Sequence, residues 1–229
     1  MIEEPPVLTI HAAPRRPTPA QIEAFRGVPA GFVVDAMMGG AALDRVIRPM
    51  QDPAGQIAGP ALTVDCGPGD ILATLAALRV IRPGDVVVAA FAGYQGCAAA
   101  GDRLCGMMRN NGAAGFVTDG PVRYHAGIIA VGLPVWATGL TPESPYSKGP
   151  GKVGFPVQIG GRQVESGDMI VADRDGVVVV PFARIDTVIA ALETVRALEV
   201  DLDRQIAEGL KIPPAIEVLL DSDTVAWAR

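Results

Sequence analysis

The sequence is short of histidine, cysteine and charge, and each shortage narrows the chemistry. Only His11 and His125 are present, and neither belongs to an HExxH or a Cys/His zinc spacing. His11 lies in the N-terminal stretch, and His125 reads as a helix-surface residue. Cys66, Cys97 and Cys105 make no CxxC and no even framework, so buried, reduced thiols in a cytoplasmic protein are expected. Charged residues are 19% of the 229, the formal net charge is −6, and no basic run occurs. That argues against nucleic acid or an anionic membrane surface as the main partner. No apolar run reaches the ~20 residues of a membrane span. The opening "MIEEPPVLTI" has neither the basic nor the apolar region of a secretory leader. GxGxxG, P-loop and GxSxG signatures are missing as well.

What is present is a globular composition, with 49% hydrophobic residues, 27 glycines and 20 prolines, in a chain long enough for one sizeable core. Residues 1–17 read as an extended arm and 18–229 as a single domain. Thr18 and Pro19 open a helix over "TPAQIEAF", and a second helix, "AGFVVDAMM", ends at Gly39 and Gly40. Strand and helix then alternate from about 58 to 138. "IAGPALTVDC" is a strand, Asp70 caps a helix over 71–81, and "PGDVVVAAF" is a buried strand. A helix over about 102–111, strand "AGFVTDG", a short helix near 124–131 and strand "LPVWATG" follow. This order predicts parallel crossover connections. The region "FPVQIGGRQVESGDMIVADRDGVVVVP" reads as hairpins turning at Gly160-Gly161 and Asp175-Gly176, with Asp173 and Asp175 serving the turn. A long amphipathic helix over about 182–209 and a last short helix complete the pattern.

Two segments carry candidate chemistry. The helix beginning near Gly101 and Asp102 follows a loop of small residues, and its first N–H groups lack intrahelical partners. Gly101, Asp102, Arg103 and Leu104 therefore form a candidate carboxylate cradle. The plainer alternative is an ordinary helix capped by Asp102. Arg123 follows a strand and a "DGP" turn, and arginine grips carboxylates with a two-pronged fork. The alternative there is an ion pair with Asp119. Loops after successive parallel strands gather on one sheet edge, so both segments are expected to face one cleft. The loop "LTPESPYSKGPG", with Lys148 and Lys152, reads as solvated.

"AGDRLCGMMRNNGAAGFVTDGPVRY" resembles the signature of the RraA-like family. That family includes 4-hydroxy-4-methyl-2-oxoglutarate / 4-carboxy-4-hydroxy-2-oxoadipate aldolases and the regulator of ribonuclease activity A. "VVDAM", "GPALTV", "PGDVVV", "LPVWATGLTP" and "GGRQVESGDMIVADRDGVVVVP" resemble family blocks in family order. The resemblance implies an α/β sandwich related to swivelling phosphohistidine domains, assembled as a homotrimer or hexamer with a site between subunits. It implies that the 101–104 backbone and Arg123 hold the pyruvate part of a 2-oxo acid. It further implies a divalent metal, magnesium or manganese, helped by Asp102 and by a glutamate from a neighbouring subunit's C-terminal helix. Glu199 matches that glutamate best, with Glu193 as the rival. The implied activity is cleavage of a 4-hydroxy-2-oxo acid to pyruvate, with oxaloacetate decarboxylation through the same enolate.

The sequence departs from the aldolase pattern at Tyr124. The aldolases place a metal-binding aspartate after the arginine, and a neutral tyrosine is a poor ligand for a hard cation. Three expectations follow: a lyase with metal held through Asp102, Glu199 and water, or with His125 recruited; a metal-independent enzyme on another carboxylate substrate, with Tyr124 or His125 as proton donor; or a non-enzymatic, protein-binding trimer.

Overall fold

Alternate residues of the central strands point into different cores, and that alternation builds the molecule in layers. The computed structural model describes residues 6–51 and 56–228; residues 1–5 of the expected arm lie outside them. In chain order the elements are β1 (Leu8–Ile10), α1 (Pro19–Phe25), α2 (Ala30–Ala36), β2 (Arg48–Pro49), β3 (Ile57–Asp65), α3 (Leu72–Ala77), β4 (Val86–Ala90), α4 (Asp102–Asn110), β5 (Gly115–Thr118), α5 (His125–Val131) and β6 (Val135–Ala137). β7 (Gly151–Val153), β8 (Val157–Ile159), β9 (Arg162–Val164), β10 (Met169–Ala172) and β11 (Val177–Val180) follow. A short 3-10 turn then leads into α6 (Ile185–Ala207) and α7 (Pro214–Leu220).

β3, β4, β5 and β6 pair in parallel, as the strand–helix alternation predicts. Val87 and Ala89 of β4 join Leu62, Val64, Phe116 and Val135 in a core under α3, α4 and α5. Val86, Val88 and Ala90 face the other way and meet Trp136, Ile159, Val164, Ile170 and Val179. Met169 and Val171 of β10, with Val178 and Val180 of β11, turn their backs on that layer. They pack with Phe25, Val33, Ile185, Val188 and Leu192 of α1, α2 and α6. Each such apolar side chain contributes roughly 1.5–3 kcal/mol when fully buried. The result is an α/β sandwich in which helices cover the sheet on one side and hairpins, then helices, cover the other.

β3 belongs to three neighbourhoods, the third being β7, which pairs antiparallel with Val64 and Asp65. Ile57 to Pro60 pair antiparallel with β10, and Ala61 to Asp65 pair parallel with β4. Pro60, which has no N–H to give, stands at the changeover. The hairpins form where expected, β8 with β9 and β10 with β11. Thr18 and Gln21 make a reciprocal capping box at the start of α1.

One expectation is corrected. The helix expected over 71–81 is helical only over Leu72–Ala77. Past that point Arg79 N bonds to Ala76 O at 3.1 Å and Val80 N to Ala77 O at 2.9 Å, a tighter spiral. Branched Val80 and Ile81, followed by Pro83, disfavour further α-helix. The described part of the expected arm holds no helix and is tied to the rest of the chain. β1 pairs in parallel with β7. Arg15 pairs with Glu165 at 2.8 Å, and Arg16 pairs with the buried Asp85 and donates to Pro83 O at 2.7 Å. No described helix is long and apolar enough to cross a membrane.

Candidate active site

The loops that follow β4 and β5 leave the sheet at one edge and are stitched together there. Ala99 N donates to Pro121 O at 2.7 Å, and Arg123 N to Ala100 O at 3.0 Å. Ala100 and Val122 also form a parallel bridge. The expected meeting of the two segments therefore occurs.

Asp119 makes this edge rigid. Its carboxylate accepts Phe91 N at 2.6 Å and Gly93 N at 2.8 Å. Burial pushes its carboxyl above the ordinary carboxylate range, and the two amides oppose that shift. Asp119 is thus committed to the loop after β4, and the alternative ion pair with Arg123 does not form. Arg123 instead donates to Ser144 Oγ at 2.6 Å. Its guanidinium carbon stands 4.9 Å from the centroid of the Tyr124 ring, a cation–π contact.

Gly101, not Asp102, is the N-cap of α4, which corrects the alternative that Asp102 caps it. The first i→i−4 bond runs from Cys105 N to Gly101 O at 3.0 Å. Asp102 is the first helical residue, and its carboxylate accepts Arg103 N at 2.8 Å. Among the described residues, the N–H groups of Asp102 and Leu104 meet no protein acceptor, and they sit at the positive end of the helix dipole. Two glycines keep this corner open. A Cβ on Gly101 would stand 3.2 Å from Tyr124 Cδ2 and 3.3 Å from Arg123 Cγ, and one on Gly127 of α5 would stand 2.6 Å from Asp102 Oδ2.

A cleft of about 200 Å³ opens here, lined by Gly101, Asp102, Arg103, Leu104, Met107, Arg123 and Tyr124, with Ile71 and Leu75 opposite and Pro145 across it. The loop "LTPESPYSKGPG" is largely exposed, as expected of a solvated loop, and backbone hydrogen bonds also tie it down. Thr141 N bonds to Val122 O at 3.0 Å, Ala98 N to Glu143 O at 3.1 Å, and Ile71 N to Tyr146 O at 2.9 Å. Ile71, not Asp70, is the N-cap of α3, which corrects the expectation that Asp70 caps it; the buried Asp70, one residue earlier, accepts Leu72 N at 2.8 Å and also Lys148 N at 2.6 Å and Gly149 N at 3.0 Å. Lys148 and Lys152 are exposed and do not line the cleft.

The remaining expected residues fall elsewhere. His125 begins α5, shares a hydrogen bond with Met50 O, and borders a second hollow that Arg123 and Tyr124 also touch. Glu199 and Glu193 lie on α6, which packs against α1 and α2, and neither lines the cleft of its own chain. Cys66, Cys97 and Cys105 are buried; burial pushes the Cys66 and Cys105 thiols up to about 12. Among the described residues, Asp102 is the one carboxylate lining the cleft, and no group of three His, Cys, Asp or Glu is poised for a metal. A hard divalent cation is held through oxygen ligands, usually including carboxylates. One half-engaged carboxylate and a phenol do not fit a resident magnesium or manganese ion. Ser144, Asp70, Asp119 and Gly127 were not singled out in sequence as site-builders; each acts through a partner distant along the chain.

A parallel α/β sandwich in which an arginine and a helix N-terminus meet beyond the strand ends forms a class of small-anion site. The particular family follows from comparison. The RraA-like model, described as Aldolase/RraA, matches residues 31–179. A protein of Halalkalibacterium halodurans, provisionally named a 4-hydroxy-4-methyl-2-oxoglutarate aldolase, is 34% identical over 189 residues, 82% of this chain and 90% of that one. The crystal structure of Streptomyces coelicolor RraAS2, described as an unusual member of the RNase ES inhibitor RraA family, matches with a TM-score of 0.72 at 26% identity. It covers 83% of this chain and 99% of that one. An uncharacterised Pseudomonas syringae protein shares the fold with a TM-score of 0.76 at 24% identity, over 88% and 93% of the two chains. The chain belongs to the RraA-like family.

Proposed function

We propose that the protein is a cytoplasmic carbon–carbon lyase of the aldolase type. It cleaves a 4-hydroxy-2-oxo acid to pyruvate and decarboxylates oxaloacetate through the same enolate. The observation that carries this reading is the convergence of Arg123 with the unpartnered N–H groups of α4 on a cleft that holds one carboxylate, Asp102. A structural role alone gives no reason for a half-buried guanidinium and open helix amides to face each other across an empty corner.

In this mechanism the substrate carboxylate accepts from Arg123, and the 2-oxo oxygen accepts from the start of α4. Asp102, directly or through one water, takes the proton of the C4 hydroxyl. The C3–C4 bond breaks, its electron pair moves to the C2 carbonyl oxygen, and C4 leaves as a carbonyl. Arg123 and the helix amides stabilise the enolate oxygen without reorganising. A proton delivered to C3 then gives pyruvate. For oxaloacetate the bond that breaks releases carbon dioxide. These steps use this chain's own residues, which do not by themselves fit a metal. Self-association as a homotrimer or hexamer belongs to the same reading, and Glu199 of a neighbouring chain would then bring a second carboxylate towards Asp102.

The test is pyruvate release from oxaloacetate and from 4-hydroxy-4-methyl-2-oxoglutarate, with magnesium and with EDTA. Arg123→Ala should lower kcat/KM by about 10²–10³ while the thermal midpoint falls by no more than about 2–4 °C. No pyruvate from either acid, in either condition, sinks the lyase reading. Tyr124, 59% exposed where the aldolases have an acid, favours a second reading. In it the family fold serves a non-enzymatic, protein-binding regulator, or a metal-independent enzyme on another carboxylate with Tyr124 as proton donor. For the regulator, Arg123→Ala leaves partner affinity intact.

A further inference from the structure

An arginine side chain has many rotamers, and Arg123 is held on two sides. Its Nη1 donates to Ser144 Oγ at 2.6 Å, and the Tyr124 ring lies against its guanidinium. A guanidinium carries five N–H donors, and among the described residues Ser144 Oγ is the one protein acceptor they meet. The Nε–H and the Nη2–H beside it stay free, a ready fork for a carboxylate. Nε also stands next to the start of α4. A Cβ on Gly101 would lie 3.7 Å from it, so glycine at the N-cap leaves that space clear. Ser144 itself is carried on a fastened segment. Glu143 O, one residue before it, accepts Ala98 N, and Tyr146, two residues after it, donates to Gly69 O at 2.8 Å and accepts from Ile71 N. Pro145 follows Ser144 directly and restricts its backbone to extended conformations. All these contacts lie within one chain. They hold whichever copy completes the cleft, and they do not depend on which way a substrate lies along α4.

We infer that Ser144 is a positioning residue for Arg123: its hydroxyl occupies Nη1 and turns the guanidinium so that Nε and Nη2 take a substrate carboxylate side-on. The inference rests on the carboxylate-binding reading given under Proposed function. Removing the hydroxyl leaves the charge of Arg123 in place and frees its orientation, so the ligand must then order the side chain as it binds.

Calorimetric titration of the full chain with oxalate, in metal-free buffer, decides it without requiring turnover. Ser144→Ala should weaken oxalate binding about three- to tenfold, with a thermal midpoint within about 2 °C of the parent's. Ser144→Thr, which keeps the hydroxyl, should bind within about twofold of the parent. A residue that acts only through Arg123 has nothing to act on once that side chain is gone. Ser144→Ala added to Arg123→Ala should therefore change nothing further. Unchanged binding in Ser144→Ala overturns the inference. So does a loss that Ser144→Thr shares, or one that persists in the Arg123→Ala background, which would place Ser144 on the ligand itself. If the parent does not bind oxalate, or Arg123→Ala binds it as tightly as the parent, the carboxylate-binding reading fails and takes this one with it.

Discussion

Tyr124 is held at φ 57° and ψ 50°, the left-handed region that non-glycine residues seldom occupy and that aspartate and asparagine tolerate better than most. A bulky aromatic there is strained, and its compensation is the ring's contact with the Arg123 guanidinium at 4.9 Å, worth about 0.5–1 kcal/mol at an exposed site. The same backbone suits a carboxylate, so Tyr124→Asp should fold as well as the parent. It would set a second acid near Asp102, in the cleft where one carboxylate alone does not fit a hard cation. The expected outcome is manganese binding at least about tenfold tighter than in the parent, read by calorimetry, together with pyruvate release that EDTA now suppresses. Unchanged manganese affinity would mean that position 124 does not face the ion's place, and the departure at Tyr124 would then say nothing about metal dependence.

At the scale of elements, sequence and structure agree wherever the signal is local. The apolar runs of β3, β4 and β5, the Thr18–Gln21 box and both hairpins were legible because burial, capping and turn formation are decided by neighbours in the chain. The meeting of Gly101–Leu104 with Arg123 was legible too, since parallel connectivity forces successive loops to one edge. What stayed hidden depends on contacts between distant segments: Ser144 on Arg123, Asp70 on the 148–149 amides, and the arm's clamps. Arg16 shows the cost of such a clamp. Burial holds the Asp85 carboxyl above its ordinary 3.8, against the pull of the Arg82 amide and the Arg16 charge. A raised folded-state value means that ionisation costs stability. The contribution is complete below the unfolded value and is lost as pH rises through the folded one. Arg16→Ala removes one opposing charge and raises the folded value further. The variant should therefore lose about 2 kcal/mol at pH 7, a fall of roughly 4–8 °C in the thermal midpoint. The gap to the parent should close as pH drops towards 4. A gap independent of pH would place the loss in the arm's packing, with Asp85 uninvolved.

At the scale of the whole molecule, α6 divides into two halves. Ile185, Val188 and Leu192 are buried in the core with α1 and α2, while Leu198, Val200, Leu202 and Ile206 are exposed. α7 adds exposed Ile216, Val218 and Leu219. Apolar surface of this kind marks an interaction face, and Glu199 sits in its midst, remote from the cleft of its own chain. If the site is shared between copies, each site takes Arg123 from one chain and Glu199 from another. Arg123→Ala and Glu199→Gln should then each be inactive alone. Unfolded together, mixed in equal amounts and refolded, they should recover about a quarter of parental pyruvate release, the share of sites that receive both intact residues when copies mix at random. Recovery also requires assembly, so sedimentation of the mixture must show a species larger than one chain. If Glu199→Gln alone is as active as the parent, Glu199 has no part in the site and Asp102 is its only acid. If both variants are inactive and the assembled mixture recovers nothing, both residues must act within one chain. That outcome requires α6 to bring Glu199 to the cleft by a route the packing of its first half on α1 and α2 does not provide.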